Sequence, residues 1–147
     1  MKIDYRLILS KDLLDQVISH CKSVYPDEAC GLLTGKGDIA QQLYKMTNIE
    51  KSSVSYMMDP GEQFRVMKEM RNNGHKMVAI YHSHPHSQAY PSLKDISLAF
   101  YPAPVYLIVG FTDKDRPEVR AFEILEGDVR EVQIESSVDA HVRDELE

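Results

Sequence analysis

The stretch DPGEQFRVMKEMRNNG (59–74), followed almost at once by MVAIYHSH (77–84), restricts the fold more than any other part of the chain. Asp59 is a good helix N-cap, Pro60 suits the first helical position, and Glu62 stands at capping-box spacing. Asn73 and Gly74 supply the stop. Phe64, Met67 and Met70 form a stripe that reads as core. The next eight residues are apolar at first and polar at the far end, as expected of a strand that leaves the core and finishes at a surface. A capped helix feeding a buried strand, in a chain of 147 residues, implies one domain with a real core.

The rest of the chain extends this pattern. Residues 5–9 (YRLIL) predict a strand. Ser10 then caps a helix whose Leu13, Leu14, Val17, Ile18, Cys21 and Val24 recur at helical spacing, ending before Pro26. Residues 29–35 (ACGLLTG) predict a buried strand, 35–37 a turn, 39–46 its hairpin partner, and 54–58 (VSYMM) a short strand. Residues 92–100 predict a short helix with Ile96, Ala99 and Phe100 facing inward. Residues 104–111 form an apolar strand, and 118–125 with 129–135 a closing hairpin across EGD. The expected class is therefore α/β, with a single-domain mixed sheet flanked by helices. The domain spans 1–135, and 136–147 is an acidic tail.

Charge and composition exclude several functions. The net charge is −6, and residues 113–147 carry 12 acidic against 5 basic side chains. No Lys/Arg block points to nucleic acid. No apolar run approaches the roughly 18 residues of a membrane span, and the first residues do not form a signal peptide, so a cytoplasmic location is expected. Cys21 and Cys30 lack CxxC spacing and read as buried, reduced thiols. Cys21 belongs to the core. Cys30, two residues after Glu28, is open between packing and substrate contact. Gly31 and Gly35 are either strand and turn punctuation or, for Gly31, a place of close approach near the site. Open sheet edges make a homodimer possible.

Three of the six histidines fall in HSHPH (82–86). His82 and His84 are two apart on a strand, so both rings face one side. Ser92 and Asp95 are three apart at a helix start and share a face. A short Pro-containing loop joins the two, so two imidazoles and a carboxylate can converge. That set suits a catalytic zinc with one position left to water. Such chemistry needs a carboxylate base that is not a ligand and a donor for the oxyanion, a part open to Ser92. Ser92 and Asp95 also satisfy a plain capping box. His86 can be a loop histidine, and His20, His75 and His141 read as surface or packing residues.

Read as H-x-H-x(7)-S-x-x-D, residues 82–95 resemble the JAMM motif of the MPN-domain (Mov34/PAD-1-like) metallopeptidases. YPDEACGLLTG (25–35) resembles that family's amino-terminal segment. The resemblance implies the MPN/JAB fold, with its cytidine-deaminase-like architecture, and one Zn2+ per chain held by His82, His84 and Asp95. It implies Glu28 as general base and Ser92 as stabiliser of the tetrahedral intermediate. The wording is similar to stand-alone prokaryotic members, including CysO-cysteine-like peptidases. The implied activity is hydrolysis of the peptide or isopeptide bond after the Gly-Gly tail of a small ubiquitin-like or sulfur-carrier protein. The tail would add as a strand to a sheet edge. The alternatives are a non-catalytic, metal-stabilised interaction module and a zinc deaminase; the deaminase H-x-E with P-C-x-x-C signature is absent.

Overall fold

In the computed structural model the described residues are 6–137. They run β1 (Arg6–Ser10), α1 (Lys11–Val24), β2 (Cys30–Lys36), β3 (Ile39–Met46), α2 (Pro60–Asn72), β4 (Lys76–His84), α3 (Leu93–Ser97), β5 (Val105–Gly110), β6 (Glu118–Leu125) and β7 (Asp128–Ser137). The order around the sheet is β1-β3-β2-β4-β5-β6-β7, and the sheet closes. The expected mixed sheet with helices is present, wrapped into a barrel. β1 runs parallel to β7 over Arg6↔Gln133 to Ser10↔Ser137 and touches β3 at the single register pair Ile8↔Ile39. Most strands carry ladders on both sides, and β3 beyond Ala40 is a stretch that β1 does not cover.

Local signals act as the sequence requires. Ser10 Oγ accepts the Leu13 N–H at 3.1 Å, which starts α1 at Lys11. Leu13, Val17 and Cys21 are buried on its inner face. They pack with Leu7, Leu9, Tyr81, Leu107 and Val109 in one core cluster. The second cluster contains Cys30, Leu32, Ile80, Ile108 and Phe122, with Val66 from α2 against it. Alternation along β4 thus sends Tyr81 into one cluster and Ile80 into the other. His82 and His84 share the parity of Ile80. Burying large side chains such as Tyr81, Phe122 and Leu107 is worth about 1.5–3 kcal/mol each, which makes the strands that carry the site the rigid part of the fold.

Three local expectations need correction. Residues 54–58 form no strand; only the isolated bridge Asn48↔Met58 remains, because Asn48 and Ser52 side chains occupy backbone groups of this loop. Glu62 does not complete a capping box. Asp59 accepts the Glu62 N–H, but the Glu62 carboxylate turns to the backbone N–H and hydroxyl of Thr47. Phe64 is 64% exposed and Phe100 74% exposed, so neither is core. The inner side of α2 is set by Val66 and Met70 instead. The closing strand β7 covers Asp128–Ser137, around the expected 129–135; the acidic tail beyond it and His141 lie outside the described residues.

Candidate metal centre

β4 ends in His82, Ser83 and His84, and alternation sends Ser83 to the opposite face from the two imidazoles. Ser83 is fully buried and serves as a brace. Its Oγ accepts the Ala29 N–H at 2.8 Å, and its own N–H donates to the Ala29 carbonyl at 3.1 Å. The segment ahead of β2 is therefore fastened to the end of β4, which brings Glu28 beside the histidines. Two further bonds fix the Glu28 backbone. Its N–H donates to the Ser52 carbonyl at 2.8 Å, and its carbonyl accepts from Asn48 Nδ2 at 3.0 Å. Asn48 also donates to the Ser55 carbonyl and accepts the Glu50 and Met57 N–H groups, so one amide shapes the whole 47–58 loop.

The opposing wall comes from α3. Ser92 Oγ accepts the Asp95 N–H at 3.0 Å, and the Ser92 N–H donates to Asp95 Oδ2 at 2.9 Å, a full capping box. The same Oδ2 lies 3.0 Å from both His82 Nε2 and His84 Nε2, which are 3.1 Å apart. The capping box expected of Ser92 and Asp95 is present, and the same cap turns the Asp95 carboxylate towards the two imidazoles. Ser92 is exposed, and its hydroxyl, used as an acceptor, keeps its proton for a substrate.

Three ligand atoms at mutual distances of 3.0–3.1 Å suit one cation. The tautomer of His84 supports the fit. A carbonyl only accepts, so Nδ1 carries the hydrogen in the 2.9 Å bond to the Gln88 carbonyl, leaving the Nε2 lone pair turned to the centre in the neutral ring. His82 is oriented differently. Its Nδ1 is buried with no partner, and the ring stacks on Tyr56 at 4.7 Å between centroids and 28° between planes. Burial lowers the pKa of His82. Burial also opposes the charged form of His84, but its bonds to Asp95 and the Gln88 carbonyl prevail and raise it. Burial works against the Asp95 charge too, yet the His82 and His84 contacts hold its carboxyl well below the usual range.

Glu28 is not the solvated loop carboxylate that its position before a strand would allow. It is 3% exposed, and Oε1 has no hydrogen-bond partner. Burial pushes its carboxyl up to about 8; His84 and Lys94 oppose that rise, and Asp95 and Glu50 add to it. A poised, unpartnered carboxylate beside a cation site is the arrangement a general base needs.

The remaining candidates resolve by position. Cys21 and Cys30 are both free and buried, and Cys30 packs in the second core cluster. A Cβ on Gly31 would meet the Tyr81 ring at 2.3 Å, so this glycine makes room for core packing. Tyr81 in turn bonds His20 at 2.6 Å, which makes His20 a packing residue. His86 is exposed and meets the edge of Tyr25. Sequence reasoning overlooked Ser83, Asn48 and Tyr56. The signal for Ser83 was available, since the middle residue of H-x-H on a strand must face away from the ligands. Nothing local marked Tyr56.

Comparison with known proteins shows the family. The chain is 39% identical over 129 residues to the CysO-cysteine peptidase of Mycobacterium tuberculosis, covering 86% of this chain and 88% of that one. It is 34% identical over 110 residues to the desampylase of Haloferax volcanii, covering 70% and 79%. A protein from Desulfitobacterium hafniense, solved in solution, superimposes with a TM-score of 0.83 at 35% identity, covering 92% of this chain and 96% of its own. Residues 10–125 match the family of prokaryotic homologs of the JAB domain, and the chain is a member of that family.

Proposed function

We propose that the chain is a zinc-dependent peptidase that cleaves the peptide or isopeptide bond after the Gly-Gly tail of a small ubiquitin-like or sulfur-carrier protein. That it is a hydrolase of the peptidase type, acting on conjugates of such carriers, follows from the family and the named relatives. The observation that carries the finer reading is the convergence of His82 Nε2, His84 Nε2 and Asp95 Oδ2 beside a buried, unpartnered Glu28.

His82, His84 and Asp95 would hold one zinc ion. When bound there, zinc lowers the pKa of a water to about 7 and polarises a carbonyl. Glu28 takes the proton of the attacking water and passes it to the leaving amine. Its buried carboxylate beside the three proposed ligands is placed to do both within one cycle. Ser92 donates its hydroxyl to the oxyanion that forms on the scissile carbonyl. The Ser83 and Asn48 bonds keep the base in place, and the Gln88 carbonyl and Tyr56 keep the two imidazoles in place. No helix among the described residues is long and apolar enough to cross a membrane. A reducing cytoplasm suits the two free buried cysteines.

The Glu28→Ala variant tests the assignment against a purely structural, metal-stabilised module. It should fold and keep one zinc per chain, yet lose at least ~10²-fold in turnover of a carrier conjugate. Undiminished turnover removes Glu28 from the mechanism.

A further inference from the structure

The two imidazoles are held by unlike means. His84 donates its Nδ1–H to the Gln88 carbonyl at 2.9 Å. His82 is 1% exposed, and among the described residues its Nδ1 has no hydrogen-bond partner. A metal-binding imidazole ordinarily uses that second nitrogen to fix its plane. For His82 the face of Tyr56 takes the place of the bond, with ring centroids 4.7 Å apart and planes 28° from parallel. Tyr56 belongs to no helix or strand. The chain on both sides of it is gripped by one buried side chain, Asn48. Asn48 Nδ2 donates to the Ser55 carbonyl at 3.1 Å, and Oδ1 accepts the Met57 N–H at 3.1 Å. Nδ2 also donates to the Glu28 carbonyl at 3.0 Å, and Oδ1 also accepts the Glu50 N–H at 3.0 Å. A carbonyl only accepts and a backbone N–H only donates, so the amide has one orientation and all its bonding capacity is used.

We propose that Asn48 is a positioning residue that keeps the base and one metal ligand in register. It fixes the Glu28 backbone directly, and it fixes the plane of His82 through the Tyr56 ring. The inference rests on the ligands and the base proposed above, and adds that the two are not held independently. Ser83 fastens Ala29, and the Ser52 carbonyl accepts the Glu28 N–H, but neither bond touches the residues beside Tyr56. The Asn48 amide alone among these has one donor hydrogen on each side, so displacing it moves base and ligand together. The stack uses the Tyr56 ring and not its hydroxyl. Phenylalanine can therefore replace Tyr56, whereas leucine, which has no flat face, cannot.

The test uses the full chain with 15N-labelled histidine, loaded with zinc, and reads ring 15N signals and the zinc dissociation constant by chelator competition. Tyr56→Leu should raise that constant about tenfold or more and displace the His82 ring signals while those of His84 stay in place. Tyr56→Phe should restore both readouts, with the constant within about twofold of wild type. Asn48→Ala, which removes both arms without adding charge, should disturb His82 as Tyr56→Leu does. At saturating zinc it should also turn over a carrier conjugate about tenfold or more slowly than Tyr56→Leu, because it alone frees the base as well. Asn48→Gln keeps the amide but moves it by one methylene; it should change both readouts in the same direction, and it carries the test where Asn48→Ala does not fold. Wild-type zinc affinity in Tyr56→Leu, or equal displacement of the His82 and His84 signals, overturns the Tyr56 arm. Undisturbed His82 signals in both Asn48 variants, or turnover equal to that of Tyr56→Leu, overturns the double role of Asn48. A wild-type chain that takes up no zinc removes the proposed ligands themselves, and this inference with them.

Discussion

Glu28 combines a buried position with a charge that its proposed task requires, and the two conflict. Its folded pKa of about 8 stands above the roughly 4.3 of an unfolded glutamate. The sign follows by linkage: a raised folded pKa gives stability that is present below pH 4.3 and lost as pH rises through 8. In the metal-free protein, Glu28→Gln should therefore become more stable than wild type as pH is raised from 5 to 8. The gap should reach roughly 3 kcal/mol, read from urea unfolding in chelator. A gap that stays constant across that range would mean that the buried carboxyl does not titrate there. The ligands differ in kind. His82→Ala or His84→Ala should remove metal and activity together, and native mass spectrometry that still finds one zinc per chain in the double variant would break the ligand assignment. Ser92→Ala should slow turnover with a smaller effect on zinc content, because the Ser92 N–H that holds Asp95 is backbone and survives the change.

At the scale of elements, the site is a junction of β4, α3 and the approach to β2. Ser83 is the bolt. Ser83→Ala leaves the buried Ala29 N–H without its acceptor, which should cost about 1–3 kcal/mol in unfolding experiments. It should also lower kcat while zinc content holds, since it frees the base and not the ligands. An unchanged kcat would show that Asn48 and Ser52 suffice to place Glu28. Much of this junction was legible in the sequence, because periodicity and caps are local. The H-x-H parity, the Ser92 cap and the start of α1 at Ser10 all follow from residues within a turn or two of each other. What escaped was non-local. Residues 54–58 have strand-like composition, but their hydrogen bonds go to Asn48 and Ser52. Phe64 and Phe100 fit apolar stripes, yet each lies on an exposed side, which periodicity alone cannot settle. Glu28 looked like a solvated loop residue on local grounds, and only the family resemblance pointed to the role proposed for it.

Across the whole molecule, the metal group and the fold should support each other. The proposed ligands come from two elements separated by a loop, and a cation that binds only the folded chain stabilises it by mass action. Zinc at 1,000 times its dissociation constant should add about 4 kcal/mol, read as a higher Tm that a chelator reverses. A Tm indifferent to both would argue against a resident ion.

The pairing of β1 with β7 bears on how the molecule comes to exist. β1 is made first, yet its long ladder is with Gln133 to Ser137, while its neighbour β3 offers it a single register pair. On the ribosome the backbone ladder of this strand must wait for Gln133 to Ser137 to emerge, while α1 can already cover the Leu7 and Leu9 side chains. A chaperone that guards nascent chains would find in β1 a strand with most of its backbone groups unpaired until then.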